Sequence, residues 1–554
     1  MARNILKTSL DSAKFSIIFQ ILFRCITFVL NAFIIRHVGQ DVLGIMNVRL
    51  LLLESTLIFL SREPLIKACL SDSKSHNWAQ VLNQIWLSVP ISATFGFILT
   101  YIWLHVLSGT EDKYLAQYHY GCFAILVSVI IDQMTQSVVL VAQSYCFVKL
   151  KVIVDTIYVI VRTATFVILV LWQPEYAINA FSIAQVLSSI VLSACYYGFF
   201  YWYIENLNVI KKKGADYKHQ SKMFQDMHDF EFKSIREFMP YSMENSESPL
   251  NKDLVILTVS FAKQSFVKQI LTEGERYVMT ISPVLTFSEQ SMYDIVNNLG
   301  SLAARFVFRP IEESAYFYFT QMIRREVPLL QQDQKAIVES ATVLSQLLKV
   351  VTSIGLIVVI FGHNYSHTLL YLYGGHVLTD SYLPTTLLKC HCFAVLLLAV
   401  NGVTECYVFA TMDNRQLDKY NYLMVIFSVS FLAISYLLTN TLGPVGFILA
   451  NCINMSARIA HSIHFIRNQY GSSSHRPLDG LKPDKFFSIL LAVSFVVTKL
   501  SDMYVYQWSI VLHIFIGGLC CLTTLFAWAW ENKSLLMLGV ERYKRRTSLI
   551  NKDD

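Results

Sequence analysis

Charged residues recur inside stretches that are otherwise apolar. The run 254–280 holds Lys263, Lys268, Glu273, Glu275 and Arg276, and the run 287–322 holds Glu289, Asp294, Arg305, Arg309 and Glu312. Nearer the N-terminus, Arg24, Arg36, Arg62 and Glu63 repeat the pattern. Each such charge at bilayer depth costs about 2.5–3.5 kcal/mol on insertion scales. Charges near a helix end, such as Glu275 and Arg276, can snorkel out, but Lys263 and Lys268 cannot do so easily. Two readings account for them: ion pairs that hold a helix bundle together, or a hydrated cavity. The cavity reading is the default for ionisable groups at this depth. A cavity lined by Arg and Lys suits an anion, because Arg presents a planar fork to phosphate oxygens and Lys a point charge. The diphosphate of a lipid head group fits that chemistry. The acids would pair with the cations in the empty site or bond to sugar hydroxyls.

The elements that carry these residues follow from composition. The 554 residues are 54% hydrophobic and only 15% charged, with mean hydropathy +0.46. A soluble chain carries nearer a quarter charged residues, so the main solvent is the bilayer. A spanning helix needs about 20 mostly apolar residues. Segments that qualify are 10–35, 42–60, 81–107, 119–147, 152–172, 178–204, 254–280, 287–322, 337–362, 381–411, 420–439, 443–465, 486–504 and 507–530. The fold class is therefore all-α and polytopic, with about 14 transmembrane helices. Segments 254–280 and 287–322 are the weakest by hydropathy. The basic start followed by 15–23 looks like a signal peptide, but the apolar run resumes after Arg24 with no small-residue cleavage site, so it reads as a retained span.

Lys and Arg set the orientation. With a cytosolic N-terminus, about 30 of them fall on the cytosolic side and only Arg36 and Lys113 on the other. Both termini are then expected in the cytosol, and the stretch His363–Leu378 is expected to be a lumenal loop. The expected domains are 1–204 (helices 1–6), a polar cytosolic linker 205–252 with no apolar face to bury, 253–468 (helices 7–12), a linker 469–485, helices 13–14 in 486–530, and a basic tail 531–554. Two six-helix lobes in parallel pseudo-repeat follow from the even count. Phe59-Leu60-Ser61-Arg62-Glu63-Pro64 and Val307-Phe308-Arg309-Pro310-Ile311-Glu312-Glu313 mirror one another across the two lobes.

Other polar residues weigh less. Asp132 and Glu405 sit inside apolar runs, and each reads either as a satisfied core group or as a cation or proton site. Asn364-Tyr365-Ser366 matches a glycosylation acceptor, so Asn364 is a candidate modification site. The eleven Cys read as small apolar residues. No phosphate-binding GxxxxGK[ST] loop is present, and no catalytic cluster stands out on an aqueous loop. The expectation is a transporter without cofactor, metal or nucleic-acid partner, acting as a monomer among membrane lipids.

Several motifs together resemble one family. They are Leu43-Gly44-Ile45, Phe59 to Pro64, Gly274-Glu275-Arg276-Tyr277-Val278-Met279, Val296 to Arg305 running into Arg309 to Ser314, and Asn401-Gly402-Val403-Thr404-Glu405. The chain resembles the eukaryotic Requiring-Fifty-Three family, within the multidrug, oligosaccharidyl-lipid and polysaccharide flippase superfamily. The resemblance implies two six-helix lobes around a central cavity, plus two further helices. It implies residence in the endoplasmic reticulum and movement of dolichol diphosphate, bearing two GlcNAc and five Man, to the lumenal leaflet for N-glycosylation. Two alternatives stay open: an accessory or scaffold protein of the same pathway, and a cation-coupled small-molecule exporter that would use Asp132 or Glu405.

Overall fold

The computed structural model describes residues 28, 30–71, 77–105, 107, 112–145, 147–213, 230–240, 248–281, 285–302, 304–325, 327–328, 331–471, 475–533 and 537. Among these there is no strand. Arg24 and the first half of the segment 10–35 lie outside the described residues, and residues 30–37 are helical. The remaining helices, in order, are α1 (Gln40–Leu70), α2 (Trp78–His105), α3 (Asp112–Ser144), α4 (Val148–Trp172), α5 (Ala177–Lys213), α6 (Lys252–Ile281), α7 (Phe287–Gly300), α8 (Arg309–Met322), α9 (Gln334–Gly374), α10 (Tyr382–Thr411), α11 (Asn414–Leu442), α12 (Val445–Gln469), α13 (Lys485–Leu500) and α14 (Ile510–Glu531). Among the described residues, ten helices are long and apolar enough to cross a bilayer. The chain is a multi-pass membrane protein. Helices α6, α7, α8 and α12 fall outside the ten, since charged or polar residues or short length spoil their apolar windows.

Local chemistry sets the ends. Asp413 caps α11 by accepting from the Gln416 backbone N–H, and the Gln416 side chain returns the bond, which satisfies two orphan amides. Gly443 follows α11 at φ 61°, a conformation that costs a side-chain-bearing residue energy and Gly none. Exposed Trp172, Trp508 and Trp530 stand at helix ends, where an amphipathic ring suits the head-group layer.

Three expectations are corrected. First, α9 does not stop near 362 but continues through the expected lumenal loop to Gly374. No Gly pair or Pro intervenes before Gly374-Gly375, so nothing breaks the helix earlier. Second, the segment 287–322 is not one helix. It is α7, then a π-helical turn Ala304–Phe308, then α8 with Pro310 in its first turn, as expected of Gly300 and Pro310 in one run. Third, the linker does bury an apolar face. Phe230, Phe232 and Phe238 are each at most 3% exposed. They pack with Tyr145, Phe200 and Tyr203, and the Trp86 indole donates to the Phe238 carbonyl at 2.7 Å.

The described chain divides into two compact units, Met1–Ser291 and Met292–Asp554. In unit 1, α3 packs on α5 and α2, α4 on α5, and α6 on α1. Gly44 lets α1 approach the Phe287 carbonyl so closely that an added Cβ would lie 2.1 Å from that oxygen. In unit 2, α10 packs between α9 and α12, and α13–α14 lean on α9.

Candidate functional site

Unit 1 gathers polar groups from four helices into its interior. Glu54 comes from α1, Asp132 from α3, Tyr158 and Arg162 from α4, and Gln185 and Ser189 from α5. The Gln185 amide donates to Glu54 Oε1 at 2.7 Å and to the Tyr158 hydroxyl at 3.3 Å. The Arg162 guanidinium lies over the Phe181 ring at 5.5 Å. Its charge and those of Glu54 and Arg62 are the ones that act on Asp132. Helices can hold such groups at depth because their own backbone bonds are satisfied internally.

Unit 2 holds a second cluster with tighter connections. Arg458 of α12 forms an ion pair with Glu405 of α10. The Tyr420 hydroxyl donates to Glu405 Oε1 at 2.7 Å and the Asn401 amide to Oε2 at 3.1 Å. Gly402 makes room for a second acid: a Cβ there would fall 1.7 Å from Glu312 Oε1. His461 stacks on Tyr420 at 4.8 Å. These two residues also line a cavity of ≈ 610 Å³ with Gln416, Lys419 and Phe465.

The residues singled out in the sequence are placed as follows. In unit 1, Arg36 is exposed just before α1. Arg62 and Glu63 lie at a turn in α1, where Glu63 pairs with Lys67 at 3.2 Å. The charge of Arg62 reaches both Asp132 and Asp155. Lys263 is exposed on α6, Glu275 is half-buried, and Arg276 pairs with Glu273 at 3.3 Å. In unit 2, Asp294 is buried and accepts from the Asn298 amide at 3.2 Å. Arg309 is exposed and pairs with Glu313 at 3.1 Å. Lys268 lies on α6 and Arg305 in the π-helical turn, but their side chains lie outside the described residues. The structure thus brings Arg62 to Asp132 and Asp155 in unit 1, and Glu312 to Glu405 in unit 2. Tyr277, which neighbours Arg276, accepts or donates a 2.7 Å bond with Thr56 in an apolar cavity of ≈ 380 Å³ between α1, α2 and α6.

The glycosylation reading of Asn364 is corrected. The residue sits inside α9 and is 1% exposed. Its amide donates to Thr498 Oγ1 at 2.7 Å and to the Phe495 carbonyl at 3.2 Å, so it ties α13 to α9 and has no space for a glycan.

Sequence reading missed Glu54, Arg162 and Arg458. The signal was present. Each is a single charge in an apolar run, in Leu53-Glu54-Ser55, Val161-Arg162-Thr163 and Ala457-Arg458-Ile459, the same pattern that singled out Asp132.

Residues 8–542 match the family profile described as "Rft-1: Rft protein". A Drosophila melanogaster protein named "Man(5)GlcNAc(2)-PP-dolichol translocation protein RFT1" is 49% identical, across 99% of this chain and 100% of the relative. A Xenopus tropicalis protein of the same name is 43% identical, over 96% of each. Among solved structures, the lipid II flippase MurJ in an inward closed conformation superposes with a TM-score of 0.58 at 13% identity, covering 94% of this chain and 99% of that one. At that identity the likeness speaks for the fold.

Proposed function

This chain belongs to the Rft protein family, and from that premise we propose that it moves a Man5GlcNAc2-diphosphate-dolichol lipid across the endoplasmic reticulum membrane, from the cytosolic to the lumenal leaflet, for protein N-glycosylation. The observation that carries this reading is 49% identity over essentially the whole chain to a relative named for translocating that lipid. The role is transport, not catalysis.

The cargo combines a diphosphate, a sugar head and a long apolar tail. In this reading Arg24, Arg36, Arg62, Lys263, Lys268, Arg276, Arg305 and Arg309 supply cations for the diphosphate. Glu63, Glu275, Asp294 and Glu312 bond to hydroxyls or hold the cations in the empty state. The tail stays in lipid while two six-helix lobes rock in alternating access. Both termini face the cytosol, which the Lys and Arg asymmetry supports, and one copy suffices. A scaffold reading gains from the pairing of Arg276 with Glu273 and Arg309 with Glu313, since paired charges can serve packing alone.

Charge-removal variants separate the two readings. A charge-assisted phosphate contact is worth about 1.5–3 kcal/mol, so each loss weakens substrate binding roughly ten- to a hundredfold. If the charges bind lipid, Arg62→Gln lowers N-glycosylation per molecule at normal abundance, and Arg62→Lys rescues part of it. If they only hold helices together, abundance falls and activity per molecule stays constant.

A further inference from the structure

The cavity of ≈ 380 Å³ between α1, α2 and α6 lies wholly within unit 1. Its size falls in the range of about 300–1,000 Å³ typical of ligand pockets. None of its described lining residues is charged. Leu60 and Phe266 reach it from the middle of α1 and α6, whereas Leu107 and Ile281 stand at the ends of α2 and α6. Phe266 and Ile281 are exposed, so the cavity opens on the outer surface of α6. Its few polar groups converge. The Thr56 and Tyr277 hydroxyls share a 2.7 Å bond, and the Gln269 amide reaches Tyr277 at 3.5 Å. Thr280 lines the same wall, is 4% exposed, and its Oγ1 is buried with no hydrogen-bond partner. A hydroxyl in that setting lacks an acceptor.

A second observation concerns Arg49, which stands directly behind this wall. Its Nη1 donates to the carbonyl of Leu107 at 2.7 Å, and the Trp103 indole donates to its own carbonyl at 3.1 Å. Leu107 and Trp103 both line the cavity. Arg49 is 5% exposed, and its Nε is buried without a partner. Among the described residues it has no ion pair; its guanidinium lies over the Phe287 ring at 5.3 Å. A buried cation with no counter-charge is costly. It also sits in the π-helical turn Ile45–Leu50, a distortion frequent at functional sites. Arg49 precedes Thr56 by about 10 Å along α1 at 1.5 Å per residue. The charge therefore stands at the helix-end side of the cavity, and the apolar part runs inward from it.

We propose that this cavity binds one anionic phospholipid of the surrounding bilayer. Its acyl chain fills the apolar part, an ester carbonyl accepts from Thr280, and the phosphate lies toward Arg49. One guanidinium matches the single charge of a phosphodiester, whereas a sugar-bearing diphosphate would call for further cations and hydroxyl partners. The assignment stands independently of which lipid the chain moves.

Photolabelling of the full-length protein in vesicles tests it, with phosphatidylglycerol carrying a diazirine in one acyl chain as the probe. Exposed Phe515 and Phe526 of α14 report ordinary lipid contact. Labelling of the cavity residues exceeds theirs several-fold and is competed by unlabelled phosphatidylglycerol. Arg49→Gln lowers it roughly ten- to a hundredfold, as loss of a charge-assisted phosphate contact does, and Arg49→Lys restores part. Leu99→Trp fills the cavity and lowers labelling with Arg49 intact, so a failure of Arg49→Gln to insert still leaves the proposal exposed to test. Cavity labelling no stronger than at Phe515 and Phe526 overturns the proposal. So does labelling unchanged by Arg49→Gln. Displacement of the probe by Man5GlcNAc2-diphosphate-dolichol but not by phosphatidylglycerol overturns it in favour of a cargo site.

Discussion

The clusters inside the two units use the same residue types and reach different balances. In unit 2, Glu405 has a direct ion pair with Arg458 and two further donors, Tyr420 and Asn401. In unit 1, Glu54 receives one amide hydrogen bond, from Gln185, and Arg162 stands off over Phe181. Removing one partner of a buried ion pair leaves a bare charge, whereas removing a loosely held charge leaves little behind. The unit 2 cluster therefore behaves as a rivet between α10, α11 and α12. The unit 1 cluster is held more loosely, with one amide hydrogen bond to Glu54 and no direct ion pair to either acid among the described residues. A transporter needs both properties: parts that stay fixed while others respond.

The comparison breaks most visibly at Arg458. Arg458→Gln leaves Glu405 buried against Glu312 without a cation and costs about 3–5 kcal/mol. Thermal unfolding in detergent and cellular abundance both fall, and the double variant Glu405→Gln/Arg458→Gln recovers much of the loss. An equal loss in single and double variants would remove the rivet from the account.

Gly402→Ala comes next. Its Cβ would press on the Glu312 carboxylate, and such overpacking costs about 1–3 kcal/mol. The same unfolding assay reads it, and adding Glu312→Ala restores stability. Unchanged stability in Gly402→Ala would show that Glu312 moves aside freely.

Glu54→Gln is expected to be milder, below about 1 kcal/mol, because a Gln carbonyl still accepts from Gln185. A loss as large as that of Arg458→Gln would erase the contrast between the units. Smallest is the change outside both clusters. Replacing Lys211, Lys212 and Lys213 at the end of α5 with Gln removes attraction to anionic head groups of about 1 kcal/mol per residue. Function weakens slightly, and abolished function with normal insertion would give that segment a role neither cluster explains.

How much of this was legible in the sequence varies by region. Ten of the described helices coincide with long apolar runs, because about 20 apolar residues have few other destinations than a bilayer. Hydropathy could not place the break in 287–322, which depends on Gly300 and Pro310 and not on mean apolarity. It also missed the extension of α9 to Gly374, since polar residues at 363–367 look like a loop until Asn364 and Tyr365 are seen bonded to α13 and α14. The aromatic plug was hidden because Phe230, Phe232 and Phe238 are only three residues in a polar stretch and bury against side chains distant in sequence. Asp132 and Glu405 were visible as isolated charges. Whether each is paired could not be read, because Arg458 reaches Glu405 from another helix while Arg162 stands over Phe181.

The central claim is that the chain itself moves a diphosphate-linked glycolipid. The direct measurement reconstitutes the purified full-length protein in vesicles and follows a Man5GlcNAc2-diphosphate-dolichol probe from one leaflet to the other. The account expects movement faster than in protein-free vesicles. It also expects Arg62→Gln to slow that movement roughly ten- to a hundredfold at equal protein content. Movement no faster than in protein-free vesicles, or an Arg62→Gln rate equal to wild type, would contradict it.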